Sequence, residues 1–360
     1  MLKKKMKMSR QQRKVIISGG GTGGHIFPAI AIANALKRMD AAVEIFFIGA
    51  LGRMEMEKIP KAGYRIEGLP IAGMQRSFSP KNLALPFKVI ESLIKARRMI
   101  RKFQPDAVVG VGGYASGPVL FAASMMKIPT LIQEQNSYAG LTNKILGRRV
   151  NKICVAYDGM EKFFPAHKII VTGNPVRDDI AACHGASETG QELKRNEAKK
   201  FFGLTGQKKV LLIIGGSLGA GTINETIILN SERLARAEIQ VIWQTGKGHY
   251  SKCAEAAKNF SELIKVYPFI DRMDLAYAAA DVVISRSGAL SIAELCIAKK
   301  ACVLVPSPNV AEDHQTKNAM ALVNKSAAIW VKNSEAKEKL ADTVLNLMNN
   351  DSLLYSLRNN

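Results

Sequence analysis

The sequence predicts an α/β protein built from two doubly wound parallel-sheet domains, and three observations carry that expectation. Short apolar runs recur along the chain, bounded by glycines and turn residues and interleaved with helical patterns. Three of these runs lead directly into a glycine loop and then a helix. The chain has 360 residues, 47% of them apolar, which is enough to fill two cores of ordinary size. Runs of this kind, apolar throughout rather than alternating, belong to parallel sheets covered on both faces.

In the first half, strands are expected near 14–18, 43–48, 107–111, 128–132, 152–156 and 168–172, with a sheet-covering helix over 86–103. The opening MLKKKMKMSRQQRK resembles a charged leader, but only Val15-Ile16-Ile17 follow before glycines begin, so no export signal is expected. The uncharged stretch Ala107 to Met126 is nominally long enough to span a bilayer. Gly110, Gly112, Gly113, Gly117 and Pro118 instead cut it into strand, loop and helix. In the second half, strands are expected at Val210 to Ile214, Gln240 to Gln244, Leu263 to Tyr267, Val282 to Ser285, Cys302 to Val305 and Ala328 to Val331. The turn-rich Thr172-Gly173-Asn174-Pro175, followed by the polar stretch 184–200, places the boundary between residues 1–176 and 177–360. The five cysteines include no C-x-x-C pair, so neither a disulfide framework nor a zinc knuckle is indicated, and a reducing compartment fits.

The three glycine loops are Ser18-Gly19-Gly20-Gly21-Thr22-Gly23-Gly24-His25, Gly112-Gly113-Tyr114-Ala115-Ser116-Gly117 and Gly215-Gly216-Ser217-Leu218-Gly219-Ala220. Each sets helix N-terminal amides beside a backbone without side chains, where unpaired N–H groups and the helix dipole attract phosphate. Any one of them could equally be a tight strand-to-helix turn. Pro28 and Pro118 are expected in the first turns of the helices that follow. Gly19-x-Gly21-x-x-Gly24 formally satisfies the dinucleotide fingerprint, but Phe46-Phe47-Ile48-Gly49-Ala50 offers no acid for a ribose. No loop ends in Gly-Lys-Ser/Thr, so a Walker NTPase fails too.

An ordered set of six motifs is more specific. Gly20-Gly21-Thr22-Gly23-Gly24-His25-x-x-Pro28-Ala29, Gly112-Gly113-Tyr114-Ala115-Ser116-Gly117-Pro118 and Glu134-Gln135-Asn136 come first. Thr172-Gly173-Asn174-Pro175-Val176-Arg177, Gly215-Gly216-Ser217-x-Gly219-Ala220 and Ser285-Arg286-Ser287-Gly288-Ala289 complete it. Together they resemble the MurG family, within glycosyltransferase family 28, and they run through nearly the whole chain. The resemblance implies a GT-B fold: an acceptor and a donor domain, each Rossmann-like, facing across a cleft, with the last helix packing back on the first domain. It implies transfer of GlcNAc from UDP-GlcNAc to the C4 hydroxyl of MurNAc in lipid I, giving lipid II. It also implies peripheral attachment to the cytoplasmic face of the bacterial inner membrane and partners among cell-wall synthesis or division proteins. A glycolipid glycosyltransferase or a UDP-sugar epimerase would share the donor motifs but lack the Gly-Gly-Tyr-Ala-Ser-Gly-Pro loop.

No Asp-x-Asp pair occurs, so the usual carboxylate site for a diphosphate-bound metal is missing; no metal and no cofactor are expected. The amides around Ser217 and the guanidinium of Arg177 would then meet the leaving diphosphate. The bland alternatives are a helix cap for Ser217 and a solvated linker charge for Arg177. The resemblance assigns Glu294 to the donor ribose, although Ser291-x-x-Glu294 also reads as a capping box. It assigns the Ile270 backbone to uracil, Ala289, Leu290, Ser291, Ile292 and Ala293 to the nucleotide, and Gln315, with Asn318 nearby, to the sugar. Thr22, Gly23, Gly24 and Asn136 would hold the donor's GlcNAc, and Gly112, Gly113, Tyr114 and Ser116 the acceptor. His25 at the lip of the first loop is a candidate base, since imidazole titrates near neutrality; the alternative is a His bonded to loop backbone or phosphate. Glu134 is the competing base. Gln133 stands where the family usually has His, and an amide cannot accept a proton at neutral pH.

Charge narrows the partners. The 51 Lys and Arg against 30 Asp and Glu give +21, and residues 1–160 alone hold 26 basic and 9 acidic side chains. Aromatics are only 6% and no basic run is interleaved with rings, so nucleic acid is not expected. Lys3, Lys4, Lys5, Lys7, Arg10, Arg13 and Lys14 form one cluster. Lys81, Lys88, Lys95, Arg97, Arg98, Arg101 and Lys102 form another, beside Ile71, Met74, Phe78, Leu83, Leu85 and Phe87. Basic groups around apolar ones suit an anionic membrane surface.

Overall fold

The computed structural model describes residues 12–71, 85–184, 187–216, 218–310 and 313–360. The chain divides into two units: one of residues up to Gln135 with Ala139–Gly173, the other of Asn136–Tyr138 with Asn174–Asn360. Lys3, Lys4, Lys5, Lys7 and Arg10, and Met74, Phe78, Lys81 and Leu83, lie outside the described residues.

In the first unit β1 (Lys14–Ser18) leads to α1 (Gly23–Met39), β2 (Glu44–Ala50) to α2 (Glu55–Lys61), and β3 (Arg65–Leu69) precedes α3 (Leu85–Phe103). Then come β4 (Ala107–Gly110), α4 (Ser116–Met125), β5 (Thr130–Glu134), α5 (Leu141–Gly147), β6 (Lys152–Val155) and β7 (Ile169–Val171). The strands pair in parallel in the order β3-β2-β1-β4-β5-β6-β7. Ile16 and Ile48 enter one core and Val15, Ile17 and Phe47 the other, because successive strand residues point to opposite faces. Both faces are covered, as the apolar runs required.

Two expectations need correction here. Strand β3 was not anticipated: it is an edge strand, and Arg65 and Glu67 interrupt its apolar pattern. An edge strand has only one neighbour and tolerates charge. Pro28 lies well inside α1 rather than in its first turn, so the Gly24 carbonyl loses the helical donor that an N–H at position 28 would supply. Pro118 does sit in the first turn of α4.

The second unit opens with α6 (Asp178–His184) and α7 (Glu188–Phe201), the latter occupying the strandless polar stretch. There follow β8 (Val210–Ile214), α8 (Gly221–Arg236), β9 (Gln240–Gln244), α9 (Tyr250–Ala257), β10 (Ile264–Tyr267) and α10 (Met273–Ala279). The chain continues through β11 (Val282–Ser285), α11 (Ala289–Ile297), β12 (Ala301–Leu304), α12 (His314–Val323), β13 (Ile329–Trp330), α13 (Ala336–Met348) and α14 (Asp351–Asn359). The sheet order is β10-β9-β8-β11-β12-β13, again parallel. The last helix, expected on the first domain, buries Leu354 and Leu357 in this unit's core, and Arg358 donates to the Asp281 carbonyl at 2.9 Å.

Asp274 on α10 accepts from Arg272 Nε and Nη2, each at 2.9 Å, and lies 3.2 Å from Lys194 Nζ on α7. Burial alone would raise this carboxyl, but the bonds from Arg272 and Lys194 outweigh it and hold it at about 2, below its ordinary 3.8. A depressed carboxyl stabilises the fold above its unfolded value, and that contribution drains away as pH falls from about 4 towards about 2. Asp274→Asn therefore flattens the dependence of unfolding free energy on pH in that window, measured by denaturant titration. A slope equal to that of the native chain would show the pair to be idle.

Candidate functional site

In a doubly wound sheet, ligands bind beyond the carboxyl ends of the strands where the winding reverses. In the first unit the reversal lies between neighbouring β1 and β4, and the first two glycine loops follow those two strands. In the second unit it lies between β8 and β11, followed by the third glycine loop and by Ser285-Arg286-Ser287-Gly288. Each unit thus carries one candidate site at its switch point.

The two loops of the first unit interlock. Gly112 and Gly113 adopt φ of +92° and +83°, conformations that favour glycine. A Cβ on Gly113 would collide with the Gly20 carbonyl, and one on Gly112 would stand 2.9 Å from His25 Nε2. His25, in the first turn of α1, brings Nδ1 to 3.0 Å from the Gly20 carbonyl and 3.3 Å from Thr22 Oγ1. A carbonyl only accepts, so Nδ1 is the donor, and in the neutral ring the lone pair is then on Nε2. Thr22 is the N-cap of α1 and Gly23 and Gly24 its first residues, so all three stand at its amide end. Tyr114 is 52% exposed on the second loop, while the buried Ser116 hydroxyl donates to the Gly113 carbonyl at 2.9 Å and fixes the loop.

Glu134, at the end of β5, is buried. Its Oε2 accepts the Gly140 N–H at 3.0 Å and Asn143 Nδ2 at 2.9 Å, which places a carboxylate at the N-terminus of α5. Gln133 points to the opposite face of β5. There it accepts from Gln135 Nε2, which also donates to the Val111 carbonyl at 2.8 Å. The family His position is here part of a buried amide pair.

In the second unit, the Gly219 N–H turns back to the Gly216 carbonyl at 3.1 Å just before α8 begins. Ser217 lies outside the described residues. The Ile270 N–H, expected to meet a base, donates to Gln244 Oε1 at 2.9 Å, and Gln244 Nε2 reaches the Gly216 carbonyl at 3.2 Å. Gln244, which sequence reasoning missed, therefore ties the third glycine loop to the segment carrying Ile270.

Helix α11 has Gly288 as N-cap, so Ala289, Leu290 and Ser291 hold its free amides, with Ile292 and Ala293 next. Glu294 is too deep in the helix for a capping box with Ser291, which corrects that alternative. Its Oε1 accepts Arg177 Nε and its Oε2 the Tyr277 hydroxyl, both at 3.1 Å. Burial raises the Glu294 carboxyl while Arg177 draws it back down. Burial opposes the Arg177 charge, but Glu294 outweighs it and raises its pKa. Burial and Glu294 push the Tyr277 phenol well above its usual range. Arg177 and Glu294 thus come together as one half-buried pair, and Tyr277, which is buried, has no sequence motif to mark it. Gln315 Oε1 accepts the Ser307 N–H at 2.8 Å. Asn318 is fully buried, accepts from the Ser137 N–H at 3.0 Å and donates to Asn136 Oδ1 at 3.3 Å, which is how 136–138 join this unit. Arg286 Nη1 donates to the Val305 and Pro306 carbonyls and to Asn333 Oδ1 at 3.0, 3.1 and 2.7 Å. With no carboxylate facing it among the described residues, burial lowers this guanidinium to about 10. Among the described residues no group of three or more His, Cys, Asp or Glu is placed to hold a metal ion.

The profile of the glycosyltransferase family 28 N-terminal domain matches residues 15–155, and that of the family 28 C-terminal domain matches residues 210–360. The chain belongs to glycosyltransferase family 28. Family 28 relatives include a Bacteroides fragilis protein, 55% identical over 350 residues, covering 96% of this chain and 90% of its own. Another, from Cytophaga hutchinsonii, is 56% identical over 348 residues, 96% of this chain and 91% of its own. Both bear the name UDP-N-acetylglucosamine--N-acetylmuramyl-(pentapeptide) pyrophosphoryl-undecaprenol N-acetylglucosamine transferase. The crystal structure of Acinetobacter baumannii MurG, 30% identical, superimposes with a TM-score of 0.73 over 96% of this chain and 95% of that one. A UDP-N-acetylglucosamine 2-epimerase at 12% identity and TM-score 0.62 shares the fold alone. The architecture is GT-B, as the motifs implied.

Proposed function

We propose that this chain transfers GlcNAc from UDP-GlcNAc to the C4 hydroxyl of MurNAc in lipid I, with inversion, to give lipid II of peptidoglycan. The carrying observation is identity of 55% over 96% of the chain with a transferase of that name. His25 Nε2 takes the proton of the C4 hydroxyl as that oxygen attacks the anomeric carbon, and the carbon–oxygen bond to UDP breaks with its electron pair leaving on the diphosphate. The geometry supporting this role is the Nδ1–H bond to Gly20, which presents the lone pair of Nε2. Glu134, by contrast, already accepts from two donors. Amides at the N-termini of α8 and α11 meet the charge growing on UDP, a favourable place for an anion. We assign Glu294 to the ribose hydroxyls, its two oxygens held by Arg177 and Tyr277 and each keeping a second lone pair. The test supplies UDP-GlcNAc and a lipid I analogue in EDTA and measures β-1,4 disaccharide. No product with the proper acceptor refutes the assignment, and inhibition by EDTA refutes its metal independence.

The same reading puts the first unit against an anionic membrane, at the cytoplasmic face. Among the described residues no helix is long and apolar enough to cross a membrane. On α3, Phe87, Ile90 and Ile94 are 75%, 55% and 49% exposed at helical spacing, and Leu141 and Ile145 on α5 are 67% and 64% exposed. The exposed Arg97, Arg98, Arg101, Lys102, Arg148 and Arg149 accompany them. Apolar side chains ringed by cations suit partial insertion among anionic headgroups. Co-sedimentation with vesicles containing about 30% phosphatidylglycerol should retain the protein, with Phe87→Glu weakening it about tenfold. Equal binding to neutral phosphatidylcholine vesicles would remove the electrostatic part.

A further inference from the structure

We infer that Glu55 is a positioning residue for His25, acting through the single peptide group that joins Gly20 to Gly21. Glu55 opens α2, far in sequence from the glycine loop, and its side chain is wholly buried. Its Oε2 accepts the Gly21 N–H at 2.8 Å and its Oε1 the Ala50 N–H at 3.0 Å. The carbonyl of the same Gly20–Gly21 peptide accepts from His25 Nδ1 at 3.0 Å. Carboxylate, peptide and imidazole therefore form one line of hydrogen bonds.

The loop is shaped around this carboxylate. A Cβ on Gly20 would collide with Glu55 Oε1 and Cδ, and one on Gly49 would stand 2.6 Å from Glu55 Cγ. Gly113 lies so close to the Gly20 carbonyl that a Cβ there would strike it. The peptide is held on its N–H by Glu55 and on its carbonyl by His25, and it cannot rotate without losing both bonds. One amide of the first loop, that of Gly21, is thereby given to a carboxylate, while those of Gly23 and Gly24 stand at the start of α1.

Two consequences follow for His25. Its tautomer is fixed, because the carbonyl that faces Nδ1 cannot turn away. Its basicity rises, because a carboxylate on the N–H polarises the peptide and makes the carbonyl a stronger acceptor, as bonds in a chain strengthen one another. A group bonded to the far ring nitrogen is the general means of setting which nitrogen of an imidazole is basic. Here the carboxylate works one peptide removed. The other titratable groups nearby are Glu134, which reaches this region through Asn143, and the exposed Tyr114 on the neighbouring loop.

The inference rests on His25 as the base, and the test separates the two. The first measurement uses the native chain: nitrogen-15 shifts of His25, assigned with His25→Asn, should show Nδ1 protonated and Nε2 unprotonated above the titration. A dominant Nε2–H tautomer overturns the relay whatever the kinetics. The second compares Glu55→Gln with Glu55→Asp. Glu55→Gln should lower kcat about tenfold at its plateau with the donor KM within about twofold, the pattern of a weakened base rather than weakened binding. Removing the negative charge makes His25 a weaker base, so its titration, by NMR and in the pH profile of kcat, moves to lower pH. Glu55→Asp, which keeps the charge, should recover part of the rate. If His25→Ala abolishes turnover while Glu55→Gln leaves the His25 titration and kcat unchanged, the relay is wrong and the base assignment stands. If His25→Ala leaves kcat unchanged, the base assignment itself fails.

Discussion

Replacing His25 by Ala lowers kcat about 10²–10⁴-fold, the range in which positioned bases contribute, while the donor KM moves less than about threefold. A base acts only as the proton leaves, so its loss falls on the transition state and not on the bound donor. His25 lies in the first unit, whereas Ile270, Glu294 and the third glycine loop lie in the second, so the nucleotide contacts proposed for those residues do not depend on the imidazole. Single-turnover rates with saturating UDP-GlcNAc and a lipid I analogue measure the effect directly. Unchanged turnover would remove His25 from the chemistry and turn attention to Glu134.

Replacing Glu294 by Ala does two kinds of damage. It leaves the buried Tyr277 hydroxyl without its acceptor and takes the carboxylate from the half-buried Arg177 guanidinium. Orphaning the buried hydroxyl and breaking a half-buried pair from one side together cost about 2 kcal/mol, less than for a fully buried pair because Arg177 stays partly solvated. Stability of the second unit should therefore fall by that order in urea, and the donor KM should rise at least about tenfold through loss of the carboxylate on the ribose. Glu294→Gln separates the two: it keeps an oxygen for Arg177 and an amide for Tyr277, and so recovers most of the stability while leaving donor binding weak. If Glu294→Gln restores donor affinity as well, the carboxylate serves the fold and not the ribose.

Much of the second unit's switch point could be read directly from the chain. Gly215-Gly216, Ser285-Arg286-Ser287-Gly288 and the helix carrying Glu294 follow apolar strands at short range, and a strand, a turn and a helix N-terminus are local events. Strand β3 escaped because Arg65 and Glu67 break its pattern, and an edge position allows that. Pro28 falls inside α1 because the helix begins within the glycine loop, at Gly23, earlier than its apolar pattern suggests. Glu294 looked like half of a capping box until the start of α11 at Ala289 set it a turn too deep. Gln244 and Tyr277 gave no signal at all: a Gln ending an apolar strand and a Tyr in an alanine-rich helix have no motif, only partners.

The sequence by itself determined the two parallel-sheet domains, the glycine loops after their strands, the family and the residues from which a base must be chosen. Those properties depend on alternation, run length and turn chemistry, which are written within a few residues. Only the tertiary structure decided which distant side chains are tied to the loop and helix that the motifs mark. Glu55 reaches Gly21 across 34 positions and Arg177 reaches Glu294 across 117, distances over which nothing in the chain marks the pairing. Glu55 is wholly buried and Glu294 mostly so, and each needs specific donors to offset its lost hydration, donors that folding alone brings to it.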